Sequence, residues 1–363
     1  MKTIICFICG LGSGGAEHQI SMLSNFLVEK GYNIKLVTFS SVEDHYSLHE
    51  SVERIRLGIG KNKIGQMIDI WQYFLATKSD VVISFGQREN LFCIIPLIFR
   101  RNIKLIAGER NTTYGKPSKT ERLLHTFLYK RANWIVPNSY AHEKYIKEKS
   151  PHFASKVKTI INYTDIYKYI NTPYPNNTKI RFGIFCRYTT QKNYHRFAKA
   201  IKILKEKGYT NFVADWYGDI HFKDKSLNPH YEKFLYLIKE YNIESYLKLH
   251  DKTSTVAKEM SKCDAVILPS LYEGFSNTLS ETICCGRPGI CGKVADNGLM
   301  IHDGINGLLF NPEDVVDIAN AIAHYIELSQ EERVEMCKSS RRYAENLFNK
   351  DVFVDNYIKL IEE

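Results

Sequence analysis

Residues 269–288 read Pro269-Ser270-Leu271-Tyr272-Glu273-Gly274-Phe275-Ser276-Asn277-Thr278-Leu279-Ser280-Glu281-Thr282-Ile283-Cys284-Cys285-Gly286-Arg287-Pro288. Just before them, residues 263–268 form a short apolar run rich in strand formers, the pattern of a buried parallel strand. Gly274 and the small polar residues Ser276, Asn277 and Thr278 suit a turn that opens a helix. Cys285-Gly286-Arg287-Pro288 ends that helix and leads into the next strand. A strand, a turn with free backbone N–H groups and a helix N-terminus make a site for an anion such as a diphosphate.

The same alternation continues outward. Residues 3–9 read as a strand and residues 16–30 as a helix, with Ile20, Leu23 and Leu27 on one face and Gly31 past its end. Residues 33–39, 80–85, 104–107, 134–136 and 157–160 read as further strands. Residues 163–179, with Pro173, Pro175 and several Asn and Thr, read as a linker. A second series starts at Ile180, and its first helix, 194–207, lines up Phe197, Ala200, Ile201 and Leu204 before Gly208. Short apolar runs alternating with amphipathic helices predict an α/β chain with parallel sheets covered on both faces.

At 363 residues the chain is long enough for two domains with full cores. Its longest apolar run, residues 91–99, is far below the ~20 residues that span a bilayer, and Met1-Lys2-Thr3 opens no signal-peptide pattern. Nine scattered cysteines, an odd number, suit reduced thiols. Cys6 and Cys9 spell C-x-x-C, but on a strand residues three apart face opposite sides, which favours packing over metal or redox chemistry. The expectation is a soluble cytoplasmic chain, with a place at the inner face of the membrane kept open by its charge. Residues 1–165 hold 23 Lys+Arg against 14 Asp+Glu, so the whole net charge of +9 lies there. Residues 88–131 hold ten basic and three acidic residues. Solvated helix faces and attraction to an anionic membrane or a diphosphate-bearing acceptor explain this equally. No nucleic-acid-binding motif accompanies the patch, so no nucleic-acid partner is expected.

Glu273 and Glu281 with the intervening turn resemble the donor-sugar motif of family 4 of the retaining glycosyltransferases. Gly14-Gly15-Ala16-Glu17, Arg187 with Lys192-Asn193, Asn162 with Asp165, and Asp303-Gly304-Ile305-Asn306-Gly307-Leu308-Leu309 resemble further motifs of that family, in family order over nearly the whole chain. Departures from its pattern are Ala295-Asp296 and Leu299, Asp251 beside the expected nucleobase pocket, and Gly108-Glu109-Arg110-Asn111 where many members place a histidine. The resemblance implies the GT-B fold, two doubly wound Rossmann-like domains facing each other across a cleft. It places an acceptor-side domain at residues 1–166, a donor domain at 167–347 and a helix crossing back to the first domain at 348–363. It implies metal-independent, retaining transfer from a nucleotide-diphosphate sugar (UDP-sugar ahead of GDP-sugar) to a glycan or lipid-linked acceptor in surface polysaccharide synthesis. No cofactor and no metal are implied. A sugar-nucleotide epimerase and a non-catalytic sugar-nucleotide-binding protein are the alternatives.

Each site residue has a plain structural reading beside its functional one. Thr278-Leu279-Ser280-Glu281 spells a capping box, and by themselves these four residues fit capping and ligand binding equally. The surrounding motifs favour binding, with Glu281 on the nucleotide ribose and Glu273 near the donor sugar. Gly274, Phe275, Ser276, Asn277 and Thr278 complete the donor turn. Arg187 and Lys192 in the loop after a strand suit a leaving diphosphate, whose charge grows as the glycosidic bond breaks. Gly10-Leu11-Gly12-Ser13-Gly14-Gly15 contains G-x-G-x-x-G, but no carboxylate ends the second strand, which disfavours a dinucleotide role. Gly14 and Gly15 are instead expected to let backbone approach donor phosphates. Glu17, Arg110 and Asn111 are expected on the acceptor side and Glu109 as the first-domain catalytic residue, against a salt-bridged strand end. His18 and His125 read as helix-face residues.

Overall fold

The computed structural model describes residues 1–12, 14–110, 117–169, 171–175, 177–222 and 225–363. They form two compact units, residues 1–163 with 350–363, and residues 164–349.

The first unit is a parallel sheet of six strands, β1 (Thr3–Phe7), β2 (Asn33–Thr38), β3 (Glu53–Arg56), β4 (Val81–Phe85), β5 (Lys104–Glu109) and β6 (Trp134–Pro137), in the order β3-β2-β1-β4-β5-β6. The order reverses between β1 and β4, which makes the sheet doubly wound. Its central strands are buried but for Thr3 at the start of β1, hence their apolar runs. β3 is absent from the sequence expectation because it is an edge strand with one apolar residue, Ile55. Ion pairs of Lys35 with Glu53 and of Arg54 and Arg56 with Asp44 hold it. Residues 157–160, expected as a strand, make only a bridge at Val157. A helix at Lys119–Thr126 is followed by a single 3-10 turn at Leu128–Lys130. The Lys350–Glu362 helix belongs to this unit and buries Phe353, Val354, Tyr357, Leu360 and Ile361. Lys30 with Asp351 and Lys350 with Glu29 form ion pairs along its exposed edge.

The second unit repeats the plan with β7 (Ile180–Phe185), β8 (Phe212–Gly218), β9 (Leu247–Asp251), β10 (Ala265–Leu268), β11 (Gly289–Gly292) and β12 (Gly307–Phe310). Their order is β12-β11-β10-β7-β8-β9, all parallel, with the reversal between β7 and β10. Trp216 of β8 is fully buried, packs on Phe197 and Phe234 with ring centroids 5.6 and 5.0 Å away, and donates its indole N–H to the Cys186 carbonyl (2.9 Å). A buried aromatic of this kind contributes roughly 2–3 kcal/mol. β11 and β12 approach so closely that a side-chain carbon on Gly307 would lie 2.0 Å from the Gly289 carbonyl oxygen, so only glycine fits there.

Candidate active site

The loop after β7 is bolted to its neighbours by one residue. Asn193 is fully buried in the left-handed conformation (φ 60°), which asparagine adopts at lower cost than most residues. Its side-chain amide donates to the carbonyls of Pro269 (3.1 Å) and Pro312 (2.7 Å), tying this loop to those after β10 and β12. Beside it, the Leu271 N–H donates to the Gln191 carbonyl and the Gln191 side chain to the Tyr272 carbonyl, both at 2.9 Å. These bonds fix Lys192 against Glu273. The two side chains form an ion pair, each only 11% exposed. Arg187 stands exposed at the same carboxyl end of β7.

The helix that follows Glu273 spans Asn277–Cys284, and Ser276 is its N-cap, accepting the Leu279 N–H at 3.3 Å. The capping box that Thr278 to Glu281 spells in the sequence is therefore not formed. The helix begins two residues earlier, and its N3 residue is Leu279, which leaves Glu281 outside the cap. The Thr278 hydroxyl donates to the Phe185 carbonyl (3.2 Å), holding the helix start against the end of β7. Phe275 is buried against Phe348 and anchors the Gly274 turn. Lys192, Glu273 and the first turn of this helix thus converge with Arg187 at the switch point of the sheet, where ligands bind in such folds.

Glu281 faces Tyr169, a residue the sequence reading passed over. The tyrosine hydroxyl hydrogen-bonds the carboxyl group, and burial pushes the Glu281 pKa up to about 7 although that bond favours the ionised form. Arg341 holds the Tyr169 segment, donating to the carbonyls of Tyr169 (3.0 Å) and Cys284 (2.5 Å). Fully buried Arg287 donates to the Thr172, Pro173 and Ser261 carbonyls at 3.2, 3.1 and 2.7 Å. The stretch expected as a plain linker is thus stitched to the second unit.

The remaining motif positions serve the backbone. Asn306 is fully buried, accepting the His302 N–H (2.6 Å) and donating to the Met300 carbonyl (2.8 Å), while Asp303 accepts the Leu309 N–H (2.8 Å). Asp251 accepts the N–H groups of Ile220 (3.2 Å) and Lys252 (2.8 Å). Ala295 holds a φ of 44°, a glycine-favouring conformation.

In the first unit, Gly14 caps the helix Gly15–Glu29, and the Glu17 carboxylate folds back over it, leaving no free space for a side chain at that position. His18 stacks on Tyr46. Arg110 lies over the Phe85 ring at 3.7 Å and donates to Tyr357 and to Asn162, so it binds the last helix to the sheet. Glu109 is fully buried. Its carboxylate accepts from Tyr129 and from Gln87 (3.1 Å), with His125 and His142 at 3.7 and 3.9 Å. Burial holds the His142 pKa below the ordinary histidine value. Glu109, expected as the first-domain catalytic residue, thus touches side chains of the unit's own interior. Asn111 lies outside the described residues. Among the described residues no three His, Cys, Asp or Glu side chains gather as a metal-ligand set, and no helix is long and apolar enough to cross a membrane.

Residues 169–346 match the family Glycosyl transferases group 1. Over the whole chain the protein is 24% identical to the GalNAc-α-(1→4)-GalNAc-α-(1→3)-diNAcBac-PP-undecaprenol α-1,4-N-acetyl-D-galactosaminyltransferase of Campylobacter jejuni, covering 99% of it. Its fold is similar to that of sucrose-phosphate synthase from Thermosynechococcus elongatus (TM-score 0.84, 16% identity, 100% of this chain and 98% of that one). It is also similar to Anabaena HepE, solved with UDP and glucose (TM-score 0.83, 18% identity, all of both chains). Residues 169–346 form a group 1 glycosyltransferase domain, and the chain has the GT-B fold. It is an enzyme that moves a sugar from a nucleotide-sugar donor to an acceptor.

Proposed function

We propose that the donor is a UDP-sugar, with GDP-sugar as the alternative, and that the acceptor is a glycan carried on a polyprenyl diphosphate at the inner face of the membrane. The acceptor of the Campylobacter relative and the UDP bound to HepE support this reading. The observation that carries it is the Lys192–Glu273 ion pair, fixed by Asn193 beside a helix N-terminus.

As the glycosidic bond breaks, the departing UDP gains negative charge on its diphosphate. Lys192 has three donors and keeps capacity beyond Glu273, while the Arg187 guanidinium is a fork that matches phosphate oxygens. Both, with the N–H groups opening the Asn277–Cys284 helix, stabilise that charge more in the transition state than in the ground state. Glu273 orients the sugar hydroxyls and supports positive charge developing at the ring. Glu281 accepts from the ribose hydroxyls. Attack comes on the face the diphosphate leaves, whose oxygen takes the acceptor proton, so the anomeric configuration is retained.

A panel of nucleoside diphosphates and sugar nucleotides tests the donor, since a ligand that binds only the folded chain raises its melting temperature. UDP and one UDP-sugar are expected to raise it most. Transfer from that UDP-sugar to a polyprenyl-diphosphate glycan, followed by mass, tests the acceptor. A rise with no nucleotide in the panel, or transfer only to a soluble sugar, would overturn the corresponding half of the reading.

A further inference from the structure

Two turns of the first unit border a cavity of about 540 Å³ lined by Ile98, Arg101, Phe127, Leu128, Lys130 and Lys156, among others. One turn leads from the Gln87–Leu97 helix into β5, and the other leads from the Lys119–Thr126 helix into β6. The cavity therefore lies at the amino ends of these strands. Glu109 and Arg110 lie at the carboxyl end of β5, roughly 16 Å away at ~3.3 Å per residue. It is a separate place on the unit from any residue of the candidate active site.

Its charges are uncompensated. Among the described residues, Arg101, Lys130, Arg131 and Lys156 form no ion pair with a carboxylate. Arg131 is spent on the carbonyls of Leu97, Arg100 and Ile103 (2.6, 2.8 and 2.6 Å), and Lys156 on those of Lys130 and Ala132 (3.0 and 2.7 Å). These two form the wall, while Arg101 and Lys130 stand exposed at the mouth. Like charges packed around a cavity raise the local positive potential. Beside them, Phe99 is 78% and Phe127 68% exposed. A solvated helix face accounts for Arg101 and Lys130 but not for two phenylalanine rings left in water. Cations flanking exposed aromatic rings match the headgroup level of an anionic bilayer, where one part meets phosphate and the other meets hydrocarbon.

We propose that this cavity seats the phosphate headgroup of an anionic membrane lipid, with Arg101 and Lys130 at its mouth and Phe99 and Phe127 entering the boundary between headgroups and acyl chains. Its purpose, bringing the enzyme to a lipid-linked acceptor, rests on the function proposed above, whereas the binding itself does not.

Flotation of the full chain tests it, with vesicles of phosphatidylcholine alone and of phosphatidylcholine mixed with phosphatidylglycerol. Binding is expected only to the mixed vesicles and to weaken as salt rises toward ~0.5 M. Arg101→Glu with Lys130→Glu, and separately Phe99→Ser with Phe127→Ser, are each expected to weaken it roughly tenfold or more. Both pairs should keep the wild-type melting temperature and its rise with UDP, because neither touches the donor site. Equal binding of wild type to neutral and anionic vesicles, or none to either, overturns the proposal, as does a phenylalanine variant that binds like wild type. Full competition by millimolar inorganic phosphate would make the cavity a free-phosphate site, and displacement of vesicles by RNA would make it a nucleic-acid surface. If wild type floats with anionic vesicles but transfers no sugar to a polyprenyl-diphosphate glycan, the acceptor reading fails and the lipid seat stands.

Discussion

Lys192 and Glu273, 81 residues apart in the chain, are ion-paired where the loops after β7 and β10 meet. Taking two charges out of water to this extent costs several kcal/mol per ion before their attraction offsets it. A pair so placed gives little stability beyond what apolar side chains would give. In the proposed mechanism its consequence is chemical: an ammonium held at a fixed point to meet a diphosphate.

Lys192→Met is therefore expected to lower kcat by about 10²–10³-fold and to leave Glu273 as an unpaired, mostly buried charge, with a stability loss of about 3–5 kcal/mol. Lys192→Met combined with Glu273→Gln should regain most of that stability and none of the turnover. Urea unfolding and steady-state rates separate the two effects, and a double variant that recovers turnover would remove Lys192 from the chemistry. Because Arg187 and Lys192 carry the leaving-group charge in this mechanism, chelation of divalent ions should leave the rate unchanged. Activity lost to a chelator and restored by magnesium or manganese would overturn that assignment.

Asn193 makes a test of the bolt itself. Asn193→Ala removes both side-chain bonds and keeps a side-chain carbon at a positive φ, for an expected loss of about 2–4 kcal/mol. Asn193→Gly removes the same bonds without the conformational cost and should lose about 1–2 kcal/mol less. Equal unfolding midpoints for the two variants would show that the left-handed backbone carries no strain.

The doubly wound fold is legible in the sequence because buried parallel strands and amphipathic helices have different periods, as at Ile180–Phe185 and 194–207. Lys192 and Glu273 are legible as members of a pattern, but that they pair is visible only in three dimensions. β3 is hidden because an edge strand needs little apolar surface, and Glu53, Arg54 and Arg56 flank a single isoleucine. Tyr169 is hidden because a segment rich in Pro, Asn and Thr has no period to read, and its order comes from Arg287 and Arg341 donating across the fold. The cap of the Asn277–Cys284 helix is ambiguous in the sequence because two serines and a threonine lie within five residues, each an acceptable N-cap.

Glu109 belongs to the interior of the first unit, where it gathers Tyr129, Gln87, His125 and His142. Glu109→Ala leaves a phenol and a side-chain amide without their acceptor and is expected to cost about 3–5 kcal/mol. Glu109→Gln keeps one acceptor oxygen and should cost less. Melting temperature is the deciding measurement. A variant as stable as wild type but without turnover would return Glu109 to the chemistry, in contact with substrate.

In the proposed donor site, Glu281 links stability to donor binding through pH. Its carboxyl pKa is raised from 4.5 to about 7 by burial, so the folded chain holds a proton that the unfolded chain releases. Below the unfolded value both states are protonated and nothing is lost. As pH rises from there through the folded value, stability falls, by roughly 3 kcal/mol once the buried group is ionised. Glu281→Gln removes this loss, so its advantage in melting temperature over wild type should grow across that window and level off above it. In the proposed donor site ribose hydroxyls donate to the ionised carboxylate, so wild-type affinity for a UDP-sugar should rise as pH climbs through about 7. A sugar nucleotide is the right probe because its diphosphate has no proton to lose there. Glu281→Gln should show weaker binding with a flat profile. Tyr169→Phe removes the hydroxyl that favours the ionised form of Glu281, so its midpoint should move to higher pH. Calorimetric titration at several pH values reads all three, and a Glu281→Gln profile that tracks wild type would take Glu281 out of the donor site.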